Sequence, residues 1–237
     1  MGQKVHPLGF RVSLKENYQS NWFVKPDVYH ILLSQDYVIR QSIYQFFDKI
    51  SYLKNKKSLS DSLNITDINI SRKFDQINIC ISIAALSSLI ESKKINSIIT
   101  TLQSILIKKL GSLSYNKLNY LNSPKLVISV KQSENANISA IFIARCLINE
   151  LENRVRFRKA LKSIIKSVSK QDKENKLLGL KIKISGRLNG IEMARSEWIK
   201  KGRIPLQTLS ANIDYCSDVA KTKYGILGVK VWVCKER

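Results

Sequence analysis

The segment "ITDINISRKFDQINICISIA", Ile65 to Ala84, determines the expected architecture of the first half of the chain. It contains two runs in which isoleucine recurs among polar residues: Ile65, Ile68 and Ile70, then Ile77, Ile79, Ile81 and Ile83. A period of two places alternate side chains on one face of a strand. The segment therefore predicts a β-hairpin with one buried face.

The residues on both sides of this hairpin have helical spacing instead. Apolar residues recur every three or four positions from Asp27 to Leu53 and again from Leu86 to Leu110. The run "KLVISV", which begins at Lys125, predicts a further strand. The polar stretches Lys54–Asn64 and Gly111–Pro124 are typical of loops. The order helix, strand, strand, helix, strand indicates an α+β domain.

The second half predicts helices followed by a small sheet. Asn137–Leu151 is apolar on most sides, which favours a buried helix, and the next basic stretch continues it or follows a short break. "GLKIKISGRL", "IPLQTLSANIDY" and "ILGVKVWVCK" predict about three strands, with a turn between Gly186 and Gly190. "IEMARSEWIKK" predicts a short helix that ends at Gly202. Trp198 and Trp232 are expected in the core.

The charge of the chain indicates a polyanionic partner. Its 237 residues include 40 lysines and arginines against 18 acidic residues, a net charge of +22. Such a balance suits nucleic acid or an anionic membrane surface, although a generic basic surface is the alternative. No apolar run is long enough to span a membrane, because "ISAIFIARCLI" is short and contains Arg145. We therefore expect no membrane association.

The stretch "ENRVRFRKALKSIIKS", Glu152 to Ser167, concentrates this charge. On a helix, Arg154, Arg158, Lys162 and Lys166 form one stripe, flanked by Lys159, and apolar residues fall largely on the other side. Like charges at this spacing repel one another, and an anion along the stripe removes that repulsion. A phosphate backbone has the required repeating charge. A solvated surface is the alternative interpretation.

Nothing in the chain predicts catalysis or a cofactor. A nuclease, the second function considered, needs clustered carboxylates for a metal or a nucleophile beside its base, and neither pattern occurs. The four cysteines are far apart, so we expect free thiols and no metal site. Glu192 and Glu197 are better explained as surface partners of Arg195, Lys200 and Lys201 on a helix. The sequence predicts no enzyme, no cofactor, no metal and no small-molecule substrate.

Three motifs resemble the bacterial and organellar form of the third small-subunit ribosomal protein. They are the opening "MGQKVHPLGFR", the segment "SNWF" from Ser20, and the run "SGRLNGIEMARSEWIKKGRIPLQTLSANIDYCSDVAKTKYGILGVKVWV". The resemblance implies a basic N-terminal arm over residues 1–15, a type II KH-like domain over 16–131 and a C-terminal α+β domain over 132–237. In the KH-like domain the family order is helix, strand, strand, helix, helix, strand. In the C-terminal domain helices pack on a mostly antiparallel sheet.

This resemblance also implies a function. Family members are RNA-bound structural proteins in the head of the small ribosomal subunit, at the channel through which mRNA enters. On that match Arg158, Lys159 and Lys162 contact incoming mRNA, and Arg154 and Lys166 extend the same stripe. Implied partners are small-subunit rRNA, mRNA, the tenth and fourteenth small-subunit proteins in the head, and the fourth and fifth at the channel.

One motif departs from the family pattern. KH domains approach a nucleic-acid backbone through a Gly-x-x-Gly loop, but no glycine occurs between Asp75 and Leu110. The best alignment places Glu91 and Lys94 at the two glycine positions, with Ser92 and Lys93 between them. We therefore expect this domain to serve as a scaffold with a degenerate loop.

Eight further residues are candidate rRNA contacts: Lys4, His6, Arg11, Arg187, Arg195, Arg203, Lys221 and Lys223. Frequent Ile, Asn and Lys, with no apparent targeting segment, favour a protein encoded and used in a plastid. A mitochondrion or the cytoplasm of an AT-rich bacterium is the alternative. A free-standing RNA-binding regulator with a KH-like domain remains the alternative function.

Overall fold

The structure, a computed structural model, describes residues 4–12, 14, 18–53, 65–73, 76–84, 92–113, 125–133, 138–171 and 176–236. In chain order its helices and strands are α1 (Pro7–Arg11), β1 (Ser20–Asn21), α2 (Pro26–Leu53), β2 (Ile65–Arg72), β3 (Gln76–Ile83), α3 (Ser92–Leu113), β4 (Lys125–Gln132), α4 (Ala140–Glu152), α5 (Phe157–Gln171), β5 (Leu177–Gly186), β6 (Arg195–Gly202), β7 (Asn212–Thr222) and β8 (Gly225–Lys235).

The chain divides into two compact units, and each has helices and one small sheet. The N-terminal unit is Tyr18–Glu134, and the C-terminal unit combines Asn135–Arg237 with Met1–Asn17. The predicted α+β class is confirmed. Residues 1–15, expected as a separate arm, instead contain α1, which belongs to the C-terminal unit.

The sheet of the N-terminal unit has the order β1-β2-β3-β4. Strands β2 and β3 pair in antiparallel register, which confirms the predicted hairpin, whereas β3 and β4 run parallel. The four isoleucines of β3 are only 0–3% exposed: Ile77, Ile79, Ile81 and Ile83. Burial of each such side chain contributes about 1.5–3 kcal/mol, so the alternating pattern is the main determinant of this sheet.

Helices α2 and α3 supply the other half of this core. Ile39, Ile43 and Phe47 recur every four residues on α2, while Leu102 and Leu106 do so on α3, and all five are buried in the same cluster. In the part of the chain described, one helix lies between β3 and β4, where the KH family order has two. Glu91 lies outside the described residues, and Ser92–Lys94 open α3.

A buried polar network fixes the "SNWF" segment against α2. The indole Nε1 of Trp22 donates to Asp36 Oδ2 at 2.7 Å, and Nε of Arg72 donates to Asp36 Oδ1 at 3.1 Å. Arg72 also donates to Gln35 Oε1 at 2.9 Å. Because these groups satisfy one another, the charges are tolerated within the fold.

The sheet of the C-terminal unit has the order β6-β5-β8-β7, with all neighbours antiparallel. Leu180, Ile182 and Ile184 of β5 are buried on one face, which we call the inner face. Helix α4 packs against β7 and β8, and the backbone N–H of Ala140 donates to Asp214 Oδ2 at 3.0 Å. Gly186 and Gly190 have φ angles of 133° and 82°. The predicted turn between them is therefore confirmed.

The predicted helix over "IEMARSEWIKK" is wrong. Residues 195–202 form the edge strand β6, which pairs with β5 from Gly186↔Arg195 to Gly179↔Gly202. The sheet has four strands rather than about three because of this addition. Glu197 and Ile199 point to the inner face and Trp198 to the opposite one. The polar sequence carries a strand because its backbone groups pair with a preformed neighbour.

Two predicted loops lie largely outside the described residues: Lys54–Asn64, and Gly111–Pro124 beyond the last turn of α3. Across the part of the chain that the structure covers, no helix is long and apolar enough to cross a membrane. Within those same residues no group of three or more histidine, cysteine or acidic side chains could hold a metal ion.

Candidate nucleic-acid interface

Helix α5 carries its charges and its apolar side chains on different faces. Phe157, Leu161, Ile164 and Val168 are buried, whereas Arg158, Lys159, Lys162 and Lys166 are exposed. At 100° per residue these four cations fall within an arc of roughly 100°. From Arg158 to Lys166 the row extends about 12 Å along the axis at 1.5 Å per residue. The buried face anchors the row, which we call the cationic row.

Arg154 is not part of this row. Helix α4 ends before it, and Arg154 adopts the left-handed region with φ 61°. The backbone N–H of Val155 donates to the Glu150 carbonyl, and that of Arg154 donates to the Leu151 carbonyl, both at 3.0 Å. This is a Schellman C-cap with arginine at the position that usually holds glycine. The prediction of one continuous stripe from Arg154 is therefore wrong, because the chain breaks between the two helices.

The first turn of α5 is strongly positive. It contains no acidic residue, and Arg158 and Lys159 lie where the helix dipole already disfavours cations. The acidic side chains described near this end of α5 belong to other elements. Glu197 Oε1 of β6 lies 3.4 Å from Arg158 Nη2, and the two side chains are 40% and 76% exposed. Exposed pairs of this kind contribute little, so Arg158 keeps its capacity to bind an anion.

Glu150 of α4 is the second acid near the row. Burial raises the pKa of its carboxyl, while a hydrogen bond from Ser163 and the charge of Lys159 oppose that rise. The charge of Lys159 therefore interacts with the Glu150 carboxyl as well as with any anion bound to the row. Lys162 and Lys166, further along, have no ion pair within the described ranges.

A groove runs between α5 and β6. It has a volume of about 490 Å³ and is lined by Lys162, Ile165, Lys166, Ser169, Ile199 and Lys201. Lys201 Nζ donates to Ser169 Oγ at 2.7 Å. The groove thus brings a lysine of the edge strand beside the cationic row, with apolar side chains between them.

Four of the predicted rRNA contacts meet at one end of the sheet. Arg187 follows β5, Arg195 opens β6, Lys221 is near the end of β7, and Lys223 is in the turn before β8; all four are exposed. Arg187 donates to the carbonyls of Ile191 and Tyr224 at 3.1 and 3.3 Å, so it also holds this end together.

The other predicted contacts are elsewhere. Arg203 is exposed beyond the opposite end of β6, and Lys4 and His6 are exposed beside the face of the sheet away from α5. The His6 imidazole contacts Tyr215 edge-on, with ring centroids 4.9 Å apart.

The prediction that Arg11 contacts rRNA is wrong. Its side chain is 0% exposed and donates to the carbonyls of Pro7, Ala211, Leu206 and Thr208, each at 2.9 Å. These bonds tie α1 to the connection between β6 and β7. Arginine suits this position because its fixed fork of donors satisfies several buried carbonyls at once.

Comparison with known proteins gives a match to a family model and to named relatives. The model of the ribosomal protein S3 C-terminal domain matches residues 147–233, which contain α5 and all of the four-stranded sheet except the last two residues of β8. Small ribosomal subunit protein uS3c of Zygnema circumcarinatum is 41% identical over 237 residues, covering 100% of this chain and 96% of the relative.

The chain belongs to the ribosomal protein S3 family. The uS3c protein of Tupiella akineta is 39% identical over 239 residues, covering 99% of this chain and 98% of that protein. The uS3 protein of Nostoc punctiforme is 38% identical over 237 residues, covering 99% of this chain and 81% of its own length. The family is a structural, non-enzymatic component of the ribosome, which confirms that the chain is not an enzyme.

The thiols of this S3-family chain agree with a non-catalytic role. All four cysteines are free. Burial raises the pKa of both Cys146 and Cys216 to about 12, and nearby acidic groups add to the rise. Because the thiolate is the reactive form, these cysteines are inert at neutral pH.

Sequence reasoning missed the outer face of this S3-family sheet, the face opposite the buried Ile182. Trp198 was expected in the core, yet it is 59% exposed there, and Trp232 is half-buried beside it. Lys181, Lys183, Lys200 and Lys230 lie on the same face. The alternation of lysine with buried residues in "LKIKIS" was the available signal, but only the strand register shows which lysines meet.

Proposed function

We propose that this chain binds small-subunit rRNA in the head of the plastid small ribosomal subunit and that α5 contacts incoming mRNA. The observation that carries the proposal is the cationic row on an anchored helix. Its repeating charge matches a phosphate backbone, and neutralising phosphates releases counterions without base readout. The exposed cations at the loop end of the sheet, Arg187, Arg195, Lys221 and Lys223, are the corresponding rRNA contacts.

The relatives support the ribosomal and plastid parts of this proposal. Several are named small ribosomal subunit protein uS3c, and the match covers almost the whole of each chain. We propose that its protein neighbours are the tenth and fourteenth small-subunit proteins in the head, and the fourth and fifth at the mRNA channel. A free-standing regulator has no specific observation in its favour. Sedimentation distinguishes the two, because a regulator stays soluble when ribosomal particles pellet in high magnesium.

The test of the mRNA role is the triple variant Arg158→Ala, Lys159→Ala and Lys162→Ala. We expect translation through structured mRNA to slow while subunit assembly proceeds. For the isolated chain and single-stranded RNA, the slope of log affinity against log salt should fall by roughly 0.7 per lost contact, or about 2 in total. Fluorescence anisotropy with an RNA 12-mer across a salt series measures that slope.

A matched control removes the same charge elsewhere. Lys108, Lys125 and Lys131 are exposed residues of the N-terminal unit. Changing these three to alanine should leave the slope and the translation rate close to wild type. An α5 variant whose slope and translation rate equal those of this control contradicts the mRNA role.

A further inference from the structure

The outer face of the C-terminal sheet is a second cationic surface, distinct from the cationic row. Strand register places twelve residues on its central part: Lys181, Lys183 and Ser185 of β5; Ser196, Trp198 and Lys200 of β6; Gly228, Lys230 and Trp232 of β8; and Tyr215, Ser217 and Val219 of β7. Four are lysines, three are aromatic and none is acidic. Helices α4 and α5 cover the inner face, so this surface is on the other side of the sheet from α5.

Aromatic rings and lysines alternate across these strands. Lys181 Nζ lies 5.2 Å from the ring centroids of both Trp198 and Trp232, so its ammonium group is between the two indoles. Trp232 in turn contacts Tyr215, with ring centroids 5.4 Å apart. Lys183 lies directly opposite both Trp198 and Lys230. Both indoles on this face therefore have a lysine ammonium group over the ring.

The charges on this face repel one another. Burial lowers the pKa of Lys181, and the charges of Lys4, Lys200 and Lys183 lower it further. Like charges held this close favour an anion among them, because it offsets their mutual repulsion. Lysine over an indole also remains free to contact a phosphate, since its charge is compact and its stem flexible.

We propose that this outer face binds a single-stranded RNA segment, with an unpaired base stacked on Trp198 and phosphates held by Lys183, Lys200 and Lys230. Base–aromatic stacking beside a basic groove is how sheets hold single strands, and every base offers a π-face. Paired bases in a duplex are already stacked and cannot use the indole. The inference deepens the proposed rRNA binding, on which it rests, but uses a surface separate from the cationic row.

The partner is RNA rather than an acidic protein segment because of Trp198. An acidic peptide would bind through the lysines alone and would make no use of the indole. Trp198 is 59% exposed on an edge strand, where a ligand that stacks on its ring would cover it. At the far end of the face, Trp232 packs against a small buried cluster formed by Ile204, Ile213 and Cys234. The open part is therefore limited to the region around Trp198 and Lys183.

The test compares two probes of equal charge on the full chain. One is a single-stranded oligoadenylate 12-mer, and the other is the same ribose-phosphate chain without bases. Wild-type protein should bind the oligoadenylate about fivefold or more tightly, as the loss of a stacked base implies. Trp198→Leu should remove this preference and leave binding of the base-free chain unchanged, while Trp198→Tyr should retain it. Circular dichroism checks that each variant is folded.

Other outcomes overturn the inference. If wild type shows no preference for bases, or Trp198→Leu keeps the preference, the face is not a stacking site. If an oligoglutamate 12-mer displaces the RNA with equal affinity and Trp198→Leu has no effect, the partner is an acidic protein. The α5 triple variant should keep the preference for bases, so failure of the mRNA role and failure of this inference are distinguishable.

Discussion

At the scale of single residues, Arg154 shows local strain retained at the border of the proposed interface. A left-handed conformation costs a non-glycine residue about 1–2 kcal/mol because Cβ approaches the carbonyl oxygen. The two Schellman hydrogen bonds around it hold the residue there. The turn sets the direction in which α5 leaves α4, so the strained residue helps to position the cationic row.

We predict that Arg154→Gly stabilises the chain by about 0.5–1 kcal/mol, since glycine relieves the strain but loses more backbone entropy on folding. Urea unfolding measures the change. Arg154→Ala is the matched control: it removes the same charge but keeps Cβ, so no comparable gain is expected. Equal gains in the two variants would mean that charge repulsion, not backbone strain, is relieved.

At the scale of elements, β6 decides how strongly α5 can attract an anion. Through its inner-face residues the strand gives the helix both an acid, Glu197, and a further lysine, Lys201. The sequence pattern does not reveal this pairing, because residues 191–201 lack the alternation of a half-buried strand and are predicted as a short helix. Once β6 is paired with β5, alternation alone assigns each side chain to a face.

We predict that Glu197→Gln raises affinity for single-stranded RNA by up to about fivefold at low salt, because it removes the acid nearest Arg158. Folding stability should change by less than about 0.5 kcal/mol, since both partners are exposed. Anisotropy titrations in 50 and 200 mM salt test this, and the gain should shrink at the higher concentration. Glu192→Gln, an exposed acid outside the strand, is the control; an equal gain there would indicate a general charge effect.

At the scale of the whole molecule, what the sequence predicted depended on the distance between interacting residues. The β2–β3 hairpin and the two-sided helix α5 were predictable because their patterns are local. The burial of Arg11 was not, since three of the four carbonyls that it binds at 2.9 Å lie 195 to 200 residues later in the chain. The outer face likewise depends on register among four strands, which no local pattern contains.

We predict that Arg11→Met loosens only the C-terminal unit, by about 3 kcal/mol or more, because several buried carbonyls lose their donor. Hydrogen exchange should become faster in residues 203–213 and stay unchanged in β2 and β3, which belong to the other unit. Arg195→Met, at an exposed arginine, is the control: residues 203–213 and strands β2 and β3 should all keep their protection from hydrogen exchange. Uniformly faster exchange across both units would show that they do not unfold separately.

The strand order β6-β5-β8-β7 has a consequence for biosynthesis. Strand β8 is the last of the four strands in chain order yet lies between β5 and β7, so those two strands lack their shared neighbour until β8 has been synthesised. Helix α1 docks on carbonyls that lie 195 to 200 residues later in the chain, so it is synthesised well before its docking partner. The N-terminal unit can therefore fold during synthesis before the C-terminal sheet has formed. Until that sheet forms, α1 lacks its docking partner and remains available to chaperones.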